Sequence, residues 1–438
     1  MIQFSVPCFE VVLGLAEKGL VVVGQALVRW KDRESWAFKV RLKEPQNGCP
    51  DCQSLAKPRG TRGRWVVHAP IGTRPVWLLL RLRCFTCPAC GRYWQEMPED
   101  FLVGGRCSLT KKAQVWALAA VVLDSMSVRS AARNLGASWN RVNTAVLDAG
   151  LEHLISDETR FEGVNTIGVD EHCWRHKGWM SERFVTVIMD LTPRQKGMPA
   201  RLLDMVPGRS KEVLKTWLEA QDSKFRMGVK VASMDGFTGY KNAVKEALPS
   251  VTTVMDPFHV VQLAGDKLNL CRQRLQQETM GRRGRAGDPL YQTRRLLLTN
   301  QALLSEKTWN KVSQVITDTK FIAITRIWNV YQGIIKTYGE KDRVKGRTRL
   351  AAIIDALQNA KTKGIPELIT LKNTLKKRRE DILAYFTHPA ASNGPTEALN
   401  GRLEHLRGTA LGFRNIENYI KRSLLHTGGF KTKIQSYL

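Results

Sequence analysis

Two runs of apolar, strand-type residues each stop at an aspartate. Val164-Asn165-Thr166-Ile167-Gly168-Val169 leads into Asp170, and Val229-Lys230-Val231-Ala232-Ser233-Met234 leads into Asp235. Short runs of this kind, bounded by polar residues, predict buried strands. Between them, Phe184–Asp190 and Ala200–Met205 are also strand-like, and a helix capped near Ser210 is expected to run to about Ala220. After Asp235 the pattern predicts a helix from about Gly239 to Ala247 and a short strand, Val251–Met255, that ends in Asp256-Pro257-Phe258-His259. Further upstream, Val128, Ala131, Ala132 and Leu135 fall at i, i+3, i+4 and i+7, the spacing of one apolar helix face. Gly136 suits a left-handed helix end and Ser138 an N-cap. In the helix after Ser138, Val142, Ala145 and Val146 face inward. This is the layout of a helix-turn-helix, with Trp139, Asn140, Arg141 and Asn143 at the exposed start of the second helix. The earliest apolar stretch, Val11 to Val28, is broken by Glu17 and Lys18 and reads as paired strands, and Arg74 to Arg83 reads as another strand.

Three strands, a helix, a strand, a helix and a strand is the order of a ribonuclease H-like α/β fold. In that fold the first and fourth strands lie side by side and parallel. Asp235 follows Asp170 by 65 residues, which suits two strands, a helix and a strand between them. The expected division is a strand-rich zinc-binding domain (1–104), a helix-turn-helix (105–160), the first part of the catalytic core (161–259), a mostly α-helical insertion (260–390) and a C-terminal helical return of the core (391–438). Trp309, Trp328 and Tyr331 are expected in the core of the insertion.

Charge narrows the class of partner. Among 438 residues, 68 Lys plus Arg face 40 Asp plus Glu, a formal net charge of +28 spread along the chain. That suits a protein that wraps a polyanion over a large surface. With 43% hydrophobic residues and 12 Trp, the chain is a well-cored globular protein and not a basic tail. Neither a membrane span nor the layout of a signal peptide is found, so a cytoplasmic protein is expected. In that reducing setting nine cysteines point to metal binding or burial rather than disulfides.

Two sets of residues carry chemistry. Cys49-Pro50-Asp51-Cys52 and Cys87-Pro88-Ala89-Cys90 are matching knuckles that can give one structural Zn²⁺ four thiolates. Arg59, Arg62, Arg64 and Arg74 around them suit phosphate contacts or a solvated face. The second set is acidic. Ser392-Asn393-Gly394-Pro395-Thr396-Glu397 places Glu397 on the first turn of a helix, after a turn that includes Asn393. Asp170, Asp235 and Glu397, if the fold assembles them, hold two Mg²⁺ ions, with Mn²⁺ able to substitute, for phosphodiester cleavage. Asp256 with His259 is the strongest rival: the pair either binds metal or braces the core beside the site. Glu171 should face away from Asp170, and Asp190 should open away from the site. The basic run Arg282-Arg283-Gly284-Arg285 suits DNA contacts, and Lys376-Lys377-Arg378-Arg379 is a second basic run.

These motifs together resemble the DDE transposases of the ISL3 group of bacterial insertion sequences. The likeness rests on the C-P-x-C pairs, the helix-turn-helix, Ile167–Glu171, Ser233–Tyr240, Asp256–Leu263 and Ser392–Asn415. It implies Asp170, Asp235 and Glu397 as the catalytic triad and Cys49, Cys52, Cys87 and Cys90 as zinc ligands, although the family often spaces its second cysteine pair more widely. It further implies binding to terminal inverted repeats, cleavage and strand transfer into target DNA, a homodimer or larger synaptic assembly, and a nucleoid-associated place in a bacterial cytoplasm. A non-catalytic DNA-binding regulator derived from such an enzyme is the alternative.

Overall fold

The computed structural model describes residues 9–30, 33–104, 108–176, 178–179, 182–360, 362–388, 390–392 and 394–437, without the side chains of Thr396 and Glu397. The chain forms two compact units: Met1–Glu158 together with Leu406–Leu438, and Thr159–His405.

The first unit opens with a short helix, α1 (Phe9–Val12), and a sheet of β1 (Leu20–Trp30), β2 (Arg33–Leu42), β3 (Lys57–Ile71), β4 (Arg74–Thr86) and β5 (Tyr93–Gln95). The strand order is β1-β2-β4-β3, with β5 on β4. Strand β4 shows why the sheet has an inside. Val76, Leu78, Leu80, Leu82 and Cys84 are all buried, alternating with Trp77, Leu79, Arg81 and Arg83. The expected pair of strands between Val11 and Val28 is corrected to α1 and a single strand, β1. Gly14 and Gly19, at φ +65° and +63°, turn the chain twice, with the buried Leu13 and Leu15 on either side of the first turn.

Three helices follow: α2 (Lys111–Val122), α3 (Val128–Leu135) and α4 (Trp139–Gly150). Each begins at a hydroxyl that accepts from the backbone, respectively Thr110, Ser127 and Ser138. Gly136 closes α3 at φ +67°, and a Cβ there would meet the Pro75 ring at 3.1 Å. Both the turn and the close packing therefore require glycine.

In the second unit, β6 (Thr166–Cys173), β7 (Phe184–Asp190), β8 (Arg201–Pro207), β9 (Val231–Met234) and β10 (Thr252–Met255) form a sheet of order β10-β9-β6-β7-β8. β6 is central. It runs antiparallel to β7 and parallel to β9, which is parallel to β10. Helices α5 (Lys211–Glu219), α6 (Ser223–Gly228) and α7 (Thr238–Ala247) lie between the strands in sequence, and Leu214, Leu218, Ala243 and Val244 pack in one core with Ile167, Val169 and Ile188. The chain then runs through α8 (Pro257–Met280), α9 (Pro289–Gln292), α10 (Glu306–Thr317), α11 (Ile322–Tyr338), α12 (Arg343–Asn359), α13 (Pro366–Lys377) and α14 (Arg379–Ala384). Their core includes Leu268, Ile327, Trp328, Tyr331 and Leu371, with Trp309 packed against it, the places expected for the three aromatics. Helix α15 (Gly394–Thr409) follows. Helices α16 (Ile416–Thr427) and α17 (Lys431–Gln435) then return to the first unit, where Leu425, Phe430 and Ile434 join the core of α2–α4.

Candidate active site and metal centre

Strand register brings the aspartates together. Val169 pairs with Met234 on β9, and Met234 pairs with Met255 on β10. The next residues, Asp170, Asp235 and Asp256, are therefore neighbours at one level of three parallel strands. They differ in what they do there. Asp256 is buried and starts α8, where its carboxylate accepts from the Phe258 amide at 3.0 Å. Asp235 lies in the turn after β9, accepting from the Phe237 amide at 2.8 Å. Asp170 accepts from the Glu171 amide on Oδ1 at 2.9 Å and from Asn400 Nδ2 on Oδ2 at 3.2 Å.

Burial pushes the Asp170 carboxyl up to about 6, and the charge of Asp235 adds to the rise. The Glu171 amide, His259 and Asn400 pull the other way without cancelling it. His259, one turn into α8, thus lies within electrostatic reach of Asp170. The phenol of Tyr240 is raised by burial, with Asp235, Glu171 and Asp170 adding to the rise, and it shares a hydrogen bond with Thr186 Oγ1 at 3.1 Å. Three carboxylates at one level of the sheet are a donor set that fits a hard divalent cation.

Glu397 lies on α15, and its side chain is outside the described residues, as is the whole of Asn393. Two contacts further along α15 fix the helix against β6. Asn400 reaches Asp170, and Glu404 Oε1 lies 3.9 Å from Nε2 of the buried His172. Position 397 is one turn before Asn400 and two before Glu404. Asn400, His172 and Glu404 were not singled out from sequence. The signal was present: positions 397, 400 and 404 follow the helical period, and Asp170 and His172 the strand period.

The other acids have partners of their own. Glu171 pairs with Arg209 at 3.2 Å, and the buried Asp190 pairs with Arg201 at 2.9 Å. Among the basic residues, Arg282 is held by Asp288 at 2.7 Å, and the Arg285 amide donates to the same carboxylate. Arg283 is exposed, as are Trp139 and Asn140 at the start of α4, while Arg141 and Asn143 are half-buried. The second basic run divides: Lys376 and Lys377 are exposed, but Arg378 is buried. Its guanidinium pairs with Asp381 at 2.7 Å and donates to the carbonyls of Asp235 and Gly236, each at 3.4 Å. Asp381 also binds Lys241 at 2.6 Å and Thr253 at 2.7 Å.

In the first unit the four cysteines converge. The Sγ atoms of Cys49 and Cys90 are 3.6 Å apart, those of Cys52 and Cys87 3.5 Å, and those of Cys52 and Cys90 3.7 Å. All four lie within 4.8 Å of one another. A tetrahedron with Zn–S bonds of about 2.3 Å has edges of about 3.8 Å, so the group fits Zn²⁺. Hydrogen bonding with Ser54 lowers the Cys52 thiol to about 6, while, against the pull of the Arg92 backbone, the neighbouring thiols Cys87 and Cys49 push Cys90 up to about 12, so the protons of the four are shared unequally in the metal-free cluster. In each knuckle the residue after the second cysteine is left-handed, Gln53 at φ +62° and Gly91 at φ +73°. Only Gly91 advertises this in sequence.

Residues 167–423 match the DDE transposase family of the ISL3 type. The chain belongs to this transposase family. It is also similar to the transposase for insertion sequence element IS1001 of Bordetella parapertussis, 25% identical over 306 residues, covering 68% of this chain and 69% of that protein. The transposase for insertion sequence element IS1557 of Mycobacterium tuberculosis (strain CDC 1551 / Oshkosh) is 25% identical over 293 residues, 62% of each chain. As a member of this family the chain is a transposing enzyme, and among the described residues no helix is long and apolar enough to cross a membrane.

Proposed function

We propose that the chain binds the terminal inverted repeats of an insertion sequence and carries out divalent-metal-dependent DNA cleavage and strand transfer through Asp170, Asp235 and Glu397. The observation that carries this reading is the register of β6 and β9, which makes Asp170 and Asp235 neighbours, together with the docking of the Glu397 helix on β6 through Asn400. On this reading the second unit is a ribonuclease H-like core, interrupted between β10 and α15 by a helical insertion. Helices α3 and α4 act as a helix-turn-helix, and the four cysteines hold one structural zinc.

Two Mg²⁺ ions, or Mn²⁺, held by the three acids would supply activation of the attacking oxygen and stabilisation of the leaving 3′-oxygen. The chain's own residues orient these groups. The Glu171 amide and Asn400 fix the Asp170 carboxylate, and Arg378 holds the Asp235 turn by its carbonyls. Asp256 and His259 act as braces behind the site. DNA is the partner, approached through the basic surface, and cutting of two ends implies a dimer or a larger assembly.

The test is a supercoiled plasmid carrying an element end, scored for nicks beside a gel shift. Asp170→Asn, Asp235→Asn and Glu397→Gln should each abolish nicking and keep end binding. A Glu397→Gln protein that still nicks would remove Glu397 from the triad. A protein that binds ends but never nicks with Mg²⁺ or Mn²⁺ would favour the regulator.

A further inference from the structure

We propose that Asn400 is a positioning residue that holds the Asp170 carboxylate in its cation-binding orientation and sets the height of the Glu397 helix against it. The proposal rests on the reading of this site as a divalent-cation centre and extends it to a residue outside the triad.

An ionised carboxylate offers about four lone-pair directions. At Asp170 one is taken on each oxygen: Oδ1 by the Glu171 amide at 2.9 Å and Oδ2 by Asn400 Nδ2 at 3.2 Å. Two bonds from different elements fix the plane of the group and, among the described residues, leave one direction on each oxygen for a cation. The strand's own amide sets one side. Among the described residues, Asn400 of α15 sets the other.

The choice of an amide is chemically specific. A lysine or arginine at this place would neutralise Asp170 and compete with a cation for it. A second carboxylate would repel it. The Nδ2 end of an asparagine donates without adding charge, and the Oδ1 end cannot face a carboxylate favourably, so the amide has one orientation. Asn400 Oδ1 is buried and accepts no hydrogen bond from the described residues. The side chain is thus held in place by Asp170 and by packing.

The same bond also fixes the helix. Position 397 lies three residues, about 4.5 Å of helix rise, before Asn400. One turn beyond, Glu404 approaches His172, two residues along β6 from Asp170. A shift of α15 by a fraction of a turn would break both contacts and move position 397 by the same amount. Groups that orient a metal's ligands typically change metal affinity about 10–100-fold when lost.

The experiment uses the full chain with Asn400→Ala and Asn400→Leu. Leucine fills the space of asparagine but donates nothing. Mn²⁺ binding is read without DNA from the electron paramagnetic resonance signal of the free ion, and nicking is read against Mg²⁺ concentration. Both variants should bind Mn²⁺ about tenfold more weakly. Both should need correspondingly more Mg²⁺ for half-maximal nicking, with melting temperature and end binding as in the unaltered protein. Wild-type Mn²⁺ affinity in both variants overturns the proposal. So does recovery in Asn400→Leu alone, which would make the role one of packing, or a fall in melting temperature that accounts for the loss. Asp170→Asn in the same assays separates the two readings. If it binds Mn²⁺ and nicks normally, the site itself is misassigned. If it is inactive while both Asn400 variants behave as wild type, only the role of Asn400 fails.

Discussion

The imidazole of His68 lies 2.8 Å from Thr110 Oγ1 and 2.8 Å from the carbonyl of Leu13. A carbonyl can only accept, so Nε2 carries the proton and Nδ1 accepts from the threonine. Burial lowers the group to about 4. A folded value below the unfolded one, about 6.5, means the unfolded chain takes up the proton first as pH falls. The stabilisation is complete above pH 6.5 and is lost between there and about pH 4, up to about 3 kcal/mol. His68→Gln should flatten the pH dependence of the urea midpoint of the first unit in that window, while lowering it overall. A slope that persists would place the acid sensitivity elsewhere. Some residues of this kind were readable from sequence and some were not. Asp170 and Asp235 ended apolar runs, and the strands do end their shared register beside them. Asn400 lay inside a quoted motif, but its role exists only because α15 lies along β6. Arg378 read as one cation in a basic run, and nothing local distinguishes it from the exposed lysines beside it.

At the scale of elements, α13 and α14 connect the helical segment to the loop that carries Asp235. The link is the buried group of Arg378, Asp381, Lys241 and Thr253. Removing Asp381 would leave Arg378 and Lys241 without their counter-charge, which costs about 3–5 kcal/mol. Asp381→Leu should lower stability by that order in denaturant melts. Arg378→Met keeps the Asp381–Lys241 pair and should cost less, yet nicking should be impaired since the carbonyls of Asp235 and Gly236 lose their donor. Full activity in Arg378→Met would show that the turn holds itself. The cysteine knuckles form a second such element. Purified protein should carry about one zinc per chain, and Cys49→Ser or Cys87→Ser should lose it and weaken end binding. Metal-free protein with full end affinity would show that the knuckles serve neither fold nor recognition. Patterning anticipated the helices of 260–390 but misread the start of the chain. There, two left-handed glycines and a one-turn helix took up residues whose apolar character alone suggested strands.

For the whole molecule, the division into units makes an asymmetric prediction. Residues 159–405 are continuous and hold both the sheet of the second unit and the helical core. Expressed alone, they should melt cooperatively. A fragment of 1–158 lacks Leu425, Phe430 and Ile434, each of which contributes on the order of 2 kcal/mol by burial. It should be destabilised and bind element ends weakly until a 406–438 peptide is added. Equal stability of 1–158 with and without that peptide would refute the dependence. The division near residue 405 falls inside the expected segment 391–438, at a point that no change in composition marks.

The interrupted connectivity of the first unit also imposes an order of synthesis. A ribosome delivers every residue of 159–405 before it delivers Leu425. Helices α2–α4 must therefore wait, with part of their core exposed, while the whole second unit emerges. A nascent chain would acquire Asp170 and Asp235 before it completed the core of the first unit. Stalled products ending near residue 405 should then crosslink to chaperones through the exposed faces of α2 and α4, and release of the remaining segment should end that contact.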